Sequence, residues 1–214
     1  MNTQITKVAV AAVVLVAALI VATTYWQTWA SAGLATRQDN AVQRVAQFTI
    51  KRGPILSADG VLLATNVAKP VQGKTFYFRR YPQGTLAAHV VGYSTQSHAQ
   101  AGLERSENVY LTGSNANLST VFATTLDRLK GVTVKGNGLE LTLNAKAQKV
   151  ANDLLAGKCG AAVALEPATG KVLVMASSPP YDPNKVETDF VHIGLTKAAC
   201  SGAAPLLNLS LIHI

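Results

Sequence analysis

With 214 residues the chain is long enough for one or two domains with a buried core. Apolar residues at 49% and charged residues at only 14% lean towards a membrane or exported protein. The net charge of +8 suits an anionic partner surface such as wall polymer or lipid headgroups, or no specific partner at all, while the lack of any dense Lys/Arg run with interleaved aromatics argues against nucleic-acid binding.

Val8 to Ala22 is an unbroken apolar run without a charge, and with Thr23 to Trp26 it approaches the roughly 20 residues that cross a bilayer as a helix. Tyr25, Trp26 and Trp29 gather at one end, where amphipathic rings favour the headgroup layer, and Lys7 stands before the run. This predicts a single-pass plasma-membrane protein with residues 1–7 cytoplasmic, an anchor over 8–26 and the bulk of the chain outside. The rival is a cleaved leader, since Ala30, Ser31 and Ala32 imitate a small-residue cleavage site; the length of the apolar stretch and the aromatics beside that site favour the anchor. Ser31 to Ala46 is polar and alanine-rich and reads as a stalk.

Arg52 to Ala64, RGPILSADGVLLA, reads as an extended segment folding back at Asp59-Gly60, a strong turn dipeptide between apolar flanks. Arg52 is expected to pair with a carboxylate and hold the fold. In Arg79 to Gly113, Gly84 with Leu86, Val90 and Val91 suggests a turn entering a short helix or strand. Glu104 could serve as a general acid, but a carboxylate bonded to Arg52 or Arg105 explains it more simply. His89 and His98 have no cysteine or carboxylate at ligand spacing, so no metal site is expected. Leu126 to Gly138, with Lys130, Gly131, Gly136 and Gly138, reads as a flexible basic crossing, and the domain boundary is placed there.

Leu139 to Leu143 alternates as a strand, Asn144 can cap the following helix, and Ala147, Val150, Ala151, Leu154 and Leu155 recur at helical spacing to make one apolar face. Gly157 and Gly160 end that helix. Gly160 to Asn184 then gives a β-hairpin signal: two apolar runs, Ala161 to Leu165 and Val172 to Ala176, around a turn at Pro167, Thr169 and Gly170. The second strand should stop at Ser177 and Ser178, because Pro179 and Pro180 lack a ladder donor. The two cysteines, Cys159 and Cys200, could form a disulfide outside the cytoplasm or remain two buried thiols.

Ala162, Val163, Leu165, Pro167, Thr169, Gly170, Val172, Met175, Ser177, Tyr181, Asp182, Pro183 and Asn184 resemble the hairpin that opens the transpeptidase domain of class B penicillin-binding proteins, of the penicillin-binding protein A type. Arg52, Gly53, Ile55, Gly60, Leu63 and Ala64 are similar to a signature near the start of that family's pedestal, with Ser57 where the family usually has Asp unless the register slips to Asp59. Gly102, Leu103, Glu104, Asn108, Leu111 and Gly113 match a further pedestal stretch, which in the family is helical, and Gln148 falls on the opening of the catalytic domain, with Asn144 replacing Asp. The resemblance spans about Arg52 to Asn208 and implies an α+β architecture: an N-terminal transmembrane helix, a mixed stalk and pedestal over 27–137, and the incomplete strand-helix-hairpin start of a transpeptidase domain over 138–208. Its structural motif residues here are Arg52, Gly53, Asp59, Gly60, Gly102, Glu104, Asn108, Gly170 and Asp182.

The family's chemistry needs a serine with a lysine one helical turn later, so that both share a face. No serine in this chain has a lysine three positions on; Ser106-Glu107-Asn108 spells the second motif out of order, and Lys74-Thr75 is followed by Phe76 rather than Gly. Pro205, Leu206, Leu207 and Asn208 reproduce the start of the segment that precedes the family's nucleophile, so the nucleophile is expected beyond Asn208 and no catalytic residue is assigned. Leu209 to Ile214 is what the end of a common transposase library adapter encodes (CTG TCT CTT ATA CAC ATC), and 209–214 is expected to be a sequencing artefact. The resemblance implies an intact protein that cross-links peptidoglycan stem peptides in wall synthesis and division, is acylated by β-lactams and uses no metal or organic cofactor. These 214 residues alone would be inactive and poorly folded beyond Gly138, since a two-stranded hairpin is marginal by itself. Alternatives are a non-enzymatic membrane-anchored pedestal that recruits wall or division proteins, and a β-lactam receptor or class D β-lactamase, which would lack the pedestal motifs.

Overall fold

The computed structural model describes residues 2–27, 47–113, 135–195 and 204–211. Trp29, the candidate cleavage site Ala30 to Ala32, the stalk from Ser31 to Ala46, most of the basic crossing from Leu126, and Cys200 lie outside the described residues. The chain forms two compact units, residues 1–44 and 45–214.

In the first unit, α1 (Asn2–Tyr25) begins before the apolar run. Thr3–Tyr25 is long and apolar enough, by length and composition, to cross a membrane. Its late hydroxyl at Thr23 is handled internally: Oγ1 donates to Leu19 O at 2.8 Å and Ile20 O at 3.0 Å, so that donor is not left bare in an apolar setting. Tyr25 and Trp26 meet edge to face at 6.2 Å.

The second unit is built on β1 (Ile55–Leu56), which sits between two neighbours. After the turn Ser57–Val61, β2 (Leu62–Val71) returns antiparallel to it, and β3 (Lys74–Arg80) pairs with β2. The β2–β3 loop is Gln72-Gly73, with φ of +49° and +77°. Positive φ at both central residues is the tight-hairpin pattern whose twist matches the strands. Short helices α2 (Ala88–Val91), α3 (Gly102–Ser106) and α4 (Asn108–Leu111) follow. Then β4 (Leu139–Glu140) adds parallel to β1, giving the sheet order β3-β2-β1-β4. Ile55, Leu63, Ala64, Tyr81, Ala87, Val91, Leu111 and Leu143 form the core.

The strand expected over Leu139–Leu143 is shorter than its alternation suggests. Leu141 N still donates to Leu56 O at 2.8 Å, but Thr142 Oγ1 turns to Val172 O and Asn144 N to Leu173 O, so the chain changes partners. α5 (Ala145–Leu155) starts there, capped by Asn144, whose Oδ1 accepts from Ala147 N at 2.9 Å. Its buried face overlaps the apolar stripe only in part, at the half-buried Ala147, Ala151 and Leu155. Val150 and Leu154 are exposed, whereas Ala145 and Gln148 are buried. Gln148 explains the rotation: its Nε2 donates to Met175 O and Leu86 O, and its Oε1 accepts from Met175 N. A buried amide with all these groups satisfied fixes the helix more tightly than one more methyl contact.

β5 (Gly160–Leu165) and β6 (Val172–Ser178) form the expected antiparallel hairpin, and β6 ends before Pro179. α6 (Val186–Leu195), broken at Asp189, closes the described run, and Val186 and Ile193 join Ala88 and Tyr181 in a second core. Cys159 is disulfide-bonded. The outer faces are apolar and uncovered: Val163 and Leu165 on β5, Val150 and Leu154 on α5, and Val191 and Leu195 on α6 are exposed.

Candidate functional site

Three of the motif residues converge at one buried point. Arg52, before β1, and Glu104, on α3, are separated by 52 positions and are 3% and 0% exposed. Arg52 Nε donates to Glu104 Oε2 at 3.1 Å, Nη2 lies 2.9 Å from the same oxygen and donates to the Glu104 carbonyl at 2.9 Å, and Nη1 donates to Asn108 Oδ1 at 2.6 Å. The rigid guanidinium fork suits a carboxylate, a carbonyl and an amide held on neighbouring helical turns. Desolvation lowers the Arg52 pKa, and the Glu104 charge acts against that shift.

The second partner of Glu104 is Arg79 on β3, with Nε 2.6 Å from Oε1 and only 1% exposure. Arg105 is not the partner, because adjacent helical residues point about 100° apart and Glu104 alone faces the sheet. Arg79 is in turn steered by Asn66, whose Oδ1 lies 3.5 Å from Nη1 and whose Nδ2 donates to Arg52 O at 2.6 Å. Arg79 Nη2 is buried without a hydrogen-bond partner. Sequence reading missed Arg79 and Asn66. No local spacing links them to Glu104, and only the pairing Asn66↔Arg79 in the β2–β3 register brings them together.

Glycines let this point close. A Cβ on Gly53 would lie 1.7 Å from Asn137 O, so the strand beside Arg52 can approach only as glycine. Gly102 has φ +58°, and its Cβ would fall 2.7 Å from Val90 O. A carboxylate so enclosed and doubly paired has no route to a substrate proton. Glu104 is therefore a fastening, not a general acid.

Asp59, Gly60 and Asp182 lie along a seam between the β1–β4 sheet and the elements after it. At the Ser57–Val61 turn, where Gly60 sits, Asp59 Oδ1 accepts from Ser57 Oγ at 2.7 Å and from Ala145 N at 2.9 Å, the first turn of α5. Those two donors, the backbone one first, lower the Asp59 pKa. Asp182 Oδ1 accepts from Asn184 N at 2.9 Å and Nδ2 at 2.8 Å, and the oriented Asn184 amide clamps Tyr81, accepting from its N at 2.9 Å and donating to its O at 2.9 Å. Glu187 accepts from Gln96 N and from Ser97. Gly170 sits apart, at the β5–β6 turn, where its N donates to Glu166 O at 2.8 Å.

One further junction involves the chain's end. His89 Nε2 is 2.7 Å from Pro205 O, Asn208 Nδ2 donates to His89 O at 3.3 Å, and Leu209 N donates to Ser177 Oγ at 3.0 Å. Among the described residues no group of three His, Cys, Asp or Glu is placed to hold a metal ion.

The family "Penicillin binding protein A dimerisation domain" matches residues 52–139, the span that holds the Arg52–Glu104–Arg79 network. The chain is 38% identical over 196 residues to the peptidoglycan D,D-transpeptidase PbpA of Mycolicibacterium smegmatis, covering 88% of this chain and 38% of that protein. It is 35% identical over 192 residues to the PbpA of Mycobacterium tuberculosis, covering 86% and 38% respectively. Among solved structures, penicillin-binding protein A from M. tuberculosis as an imipenem acyl-enzyme complex aligns with a TM-score of 0.64 at 31% identity, over 77% of this chain and 38% of that one. The chain thus spans well under half the length of these relatives.

Proposed function

Because this chain belongs to the penicillin-binding proteins of the penicillin-binding protein A type, we propose that it supplies the pedestal and the leading part of the acyl-transfer domain of a peptidoglycan D,D-transpeptidase. The observation that carries this is the closure of two distant signatures, 52–60 and 102–108, on the buried ion pair Arg52–Glu104. The resemblance is therefore one of three-dimensional construction as well as of residue strings.

On this reading α1 is an uncleaved single-pass anchor with Lys7 on the cytoplasmic side, and the rest works outside the membrane on wall stem peptides, where division proteins would also reach it. The exposed apolar faces of α5, β5 and α6 support it, since a sheet or helix left open on one side is the condition a further layer relieves. The acyl transfer itself requires a serine hydroxyl to attack a peptide carbonyl or a β-lactam while a lysine one turn away takes its proton. The described residues hold neither group in that relation. They would position the segment that supplies them, beyond Asn208.

A second reading is a pedestal that recruits wall or division proteins without chemistry, for which the exposed apolar faces of α5, β5 and α6 would serve as docking surface. Sequencing the locus past residue 208 and labelling both products with fluorescent penicillin separates the two. We expect a Ser-x-x-Lys soon after Asn208, covalent labelling of the complete product, and no labelling of the 214-residue chain. Stoichiometric labelling of the short chain would overturn the assignment of the nucleophile; an unlabelled complete product would leave the recruiting pedestal.

A further inference from the structure

We propose that His89 is a positioning residue: it pins the turn at 205–208 to the pedestal and so sets where the chain after Asn208 is presented. This deepens the reading above and rests on it for its catalytic consequence, but the anchoring can be tested without it.

The turn is short and closed by its own backbone, with Leu207 N donating to Ala204 O at 2.9 Å. Such a turn has a shape of its own but needs outside contacts to have a place. At its far end, the buried hydroxyl of Ser177 donates to Leu207 O at 3.5 Å, and Asn208 Nδ2 donates to the His89 carbonyl at 3.3 Å. At its near end the contact is the His89 ring, 2.7 Å from Pro205 O. A carbonyl offers only lone pairs, so Nε2 must carry the hydrogen. Two separated anchors fix an orientation that one anchor would leave free to pivot.

The ring is itself held. It meets Tyr181 edge to face at 5.1 Å and 87°, and Tyr181 Oη donates to Ala88 O at 3.0 Å, in the residue next to His89. Leu206 packs against the core of Ala88, Tyr181, Val186 and Ile193, which keeps the turn seated on the same patch. Desolvation holds the imidazole pKa below its ordinary value, with the bond to Pro205 acting against that shift. Nothing in this arrangement places His89 against a reacting group. Its influence would pass through the backbone of Pro205 to Asn208.

Two substitutions separate donor from bulk. His89→Gln keeps an N–H at about the reach of Nε2, while His89→Phe keeps a ring against Tyr181 and removes the donor. Each is compared with the unchanged protein, as the complete product of the locus in detergent. The readouts are the second-order rate of acylation by fluorescent penicillin, amide hydrogen exchange over 206–208, and thermal melting. Since displacing a reacting group by about 1 Å can cost ~100-fold, His89→Phe should acylate between about tenfold and a hundredfold more slowly. Exchange at 206–208 should accelerate in the Phe variant, and His89→Gln should restore both readouts. Equal slowing in the Gln and Phe variants, or unchanged rate and exchange in Phe, would overturn the proposal. If the unchanged protein is not acylated, it is the functional reading that falls. Exchange over 206–208, measured in the 214-residue chain as well, then still decides the anchor: protection that survives His89→Phe refutes it, and protection lost in Phe but kept in Gln supports it.

Discussion

Glu104 is enclosed by two arginines that have no other carboxylate among their described bonds, so the network carries one negative charge against two positive ones. Removing the carboxylate leaves two desolvated cations without compensation. Glu104→Gln should therefore cost about 3–5 kcal/mol, the usual penalty for breaking a buried pair by removing one partner. The arginines are not equivalent: Arg52 engages Glu104 and Asn108 through all three nitrogens, whereas Arg79 leaves Nη2 without a partner. Arg79→Met should consequently destabilise less than Arg52→Met. Urea unfolding of the detergent-solubilised chain, followed by circular dichroism, checks the order. A milder effect at Arg52 than at Arg79 would mean that the unpaired nitrogen is not the weak point of the network.

At the scale of elements, the start of α5 shows a local signal reinforced by a distant one. Asn144 caps Ala147 N, as its position before the helix announces, but Ala145 N is taken by Asp59 from the turn after β1. The donors that stabilise the Asp59 carboxylate lower its pKa from 3.8, so its contribution is present above that value and is lost as pH falls through the lower, folded-state pKa. The stability difference between the unchanged chain and Asp59→Asn should shrink as melts are taken from pH 6 down to pH 3. A difference that stays constant would show that the charge on Asp59 has no part in holding the helix. Much of this architecture was readable beforehand: the Asp59-Gly60 turn, the Asn144 cap and the hairpin ending before Pro179 follow from residues acting on their own neighbours. So did a carboxylate for Arg52. The β2–β3 hairpin was passed over although Gln72-Gly73 lies between β-forming runs. The face of α5 could not be read from periodicity, because Gln148 is buried for its bonds to Met175 and Leu86, which lie 27 and 62 positions away. Arg79 is the same case at the network: its role exists only once the sheet register is set.

At the scale of the whole unit from Val45 onward, these distant bonds bear on cooperativity. A boundary drawn between 137 and 138 on composition has β4 on its far side, yet β4 pairs with β1 and completes the pedestal sheet. The hairpin that would be marginal alone is braced by Gln148 and by Thr142 and Asn144 against β6, and the elements after it reach back through Asn184 to Tyr81 and Tyr181 to Ala88. Because these contacts exchange both donor and acceptor with the pedestal backbone, loss of either side leaves buried groups unpaired on the other. The pedestal and the residues following Gly138 should then unfold in one transition. Asn184→Ala, which frees the N–H of Tyr81 and leaves its carbonyl with Gly84 N alone, should lower stability by about 1–3 kcal/mol without splitting that transition. Coincident loss of amide protection in β2 and β6 across a denaturant series is the measurement. Protection that vanishes from β6 well before β2 would show two bodies joined by a seam too weak to couple them, and would restore the compositional boundary as a physical one.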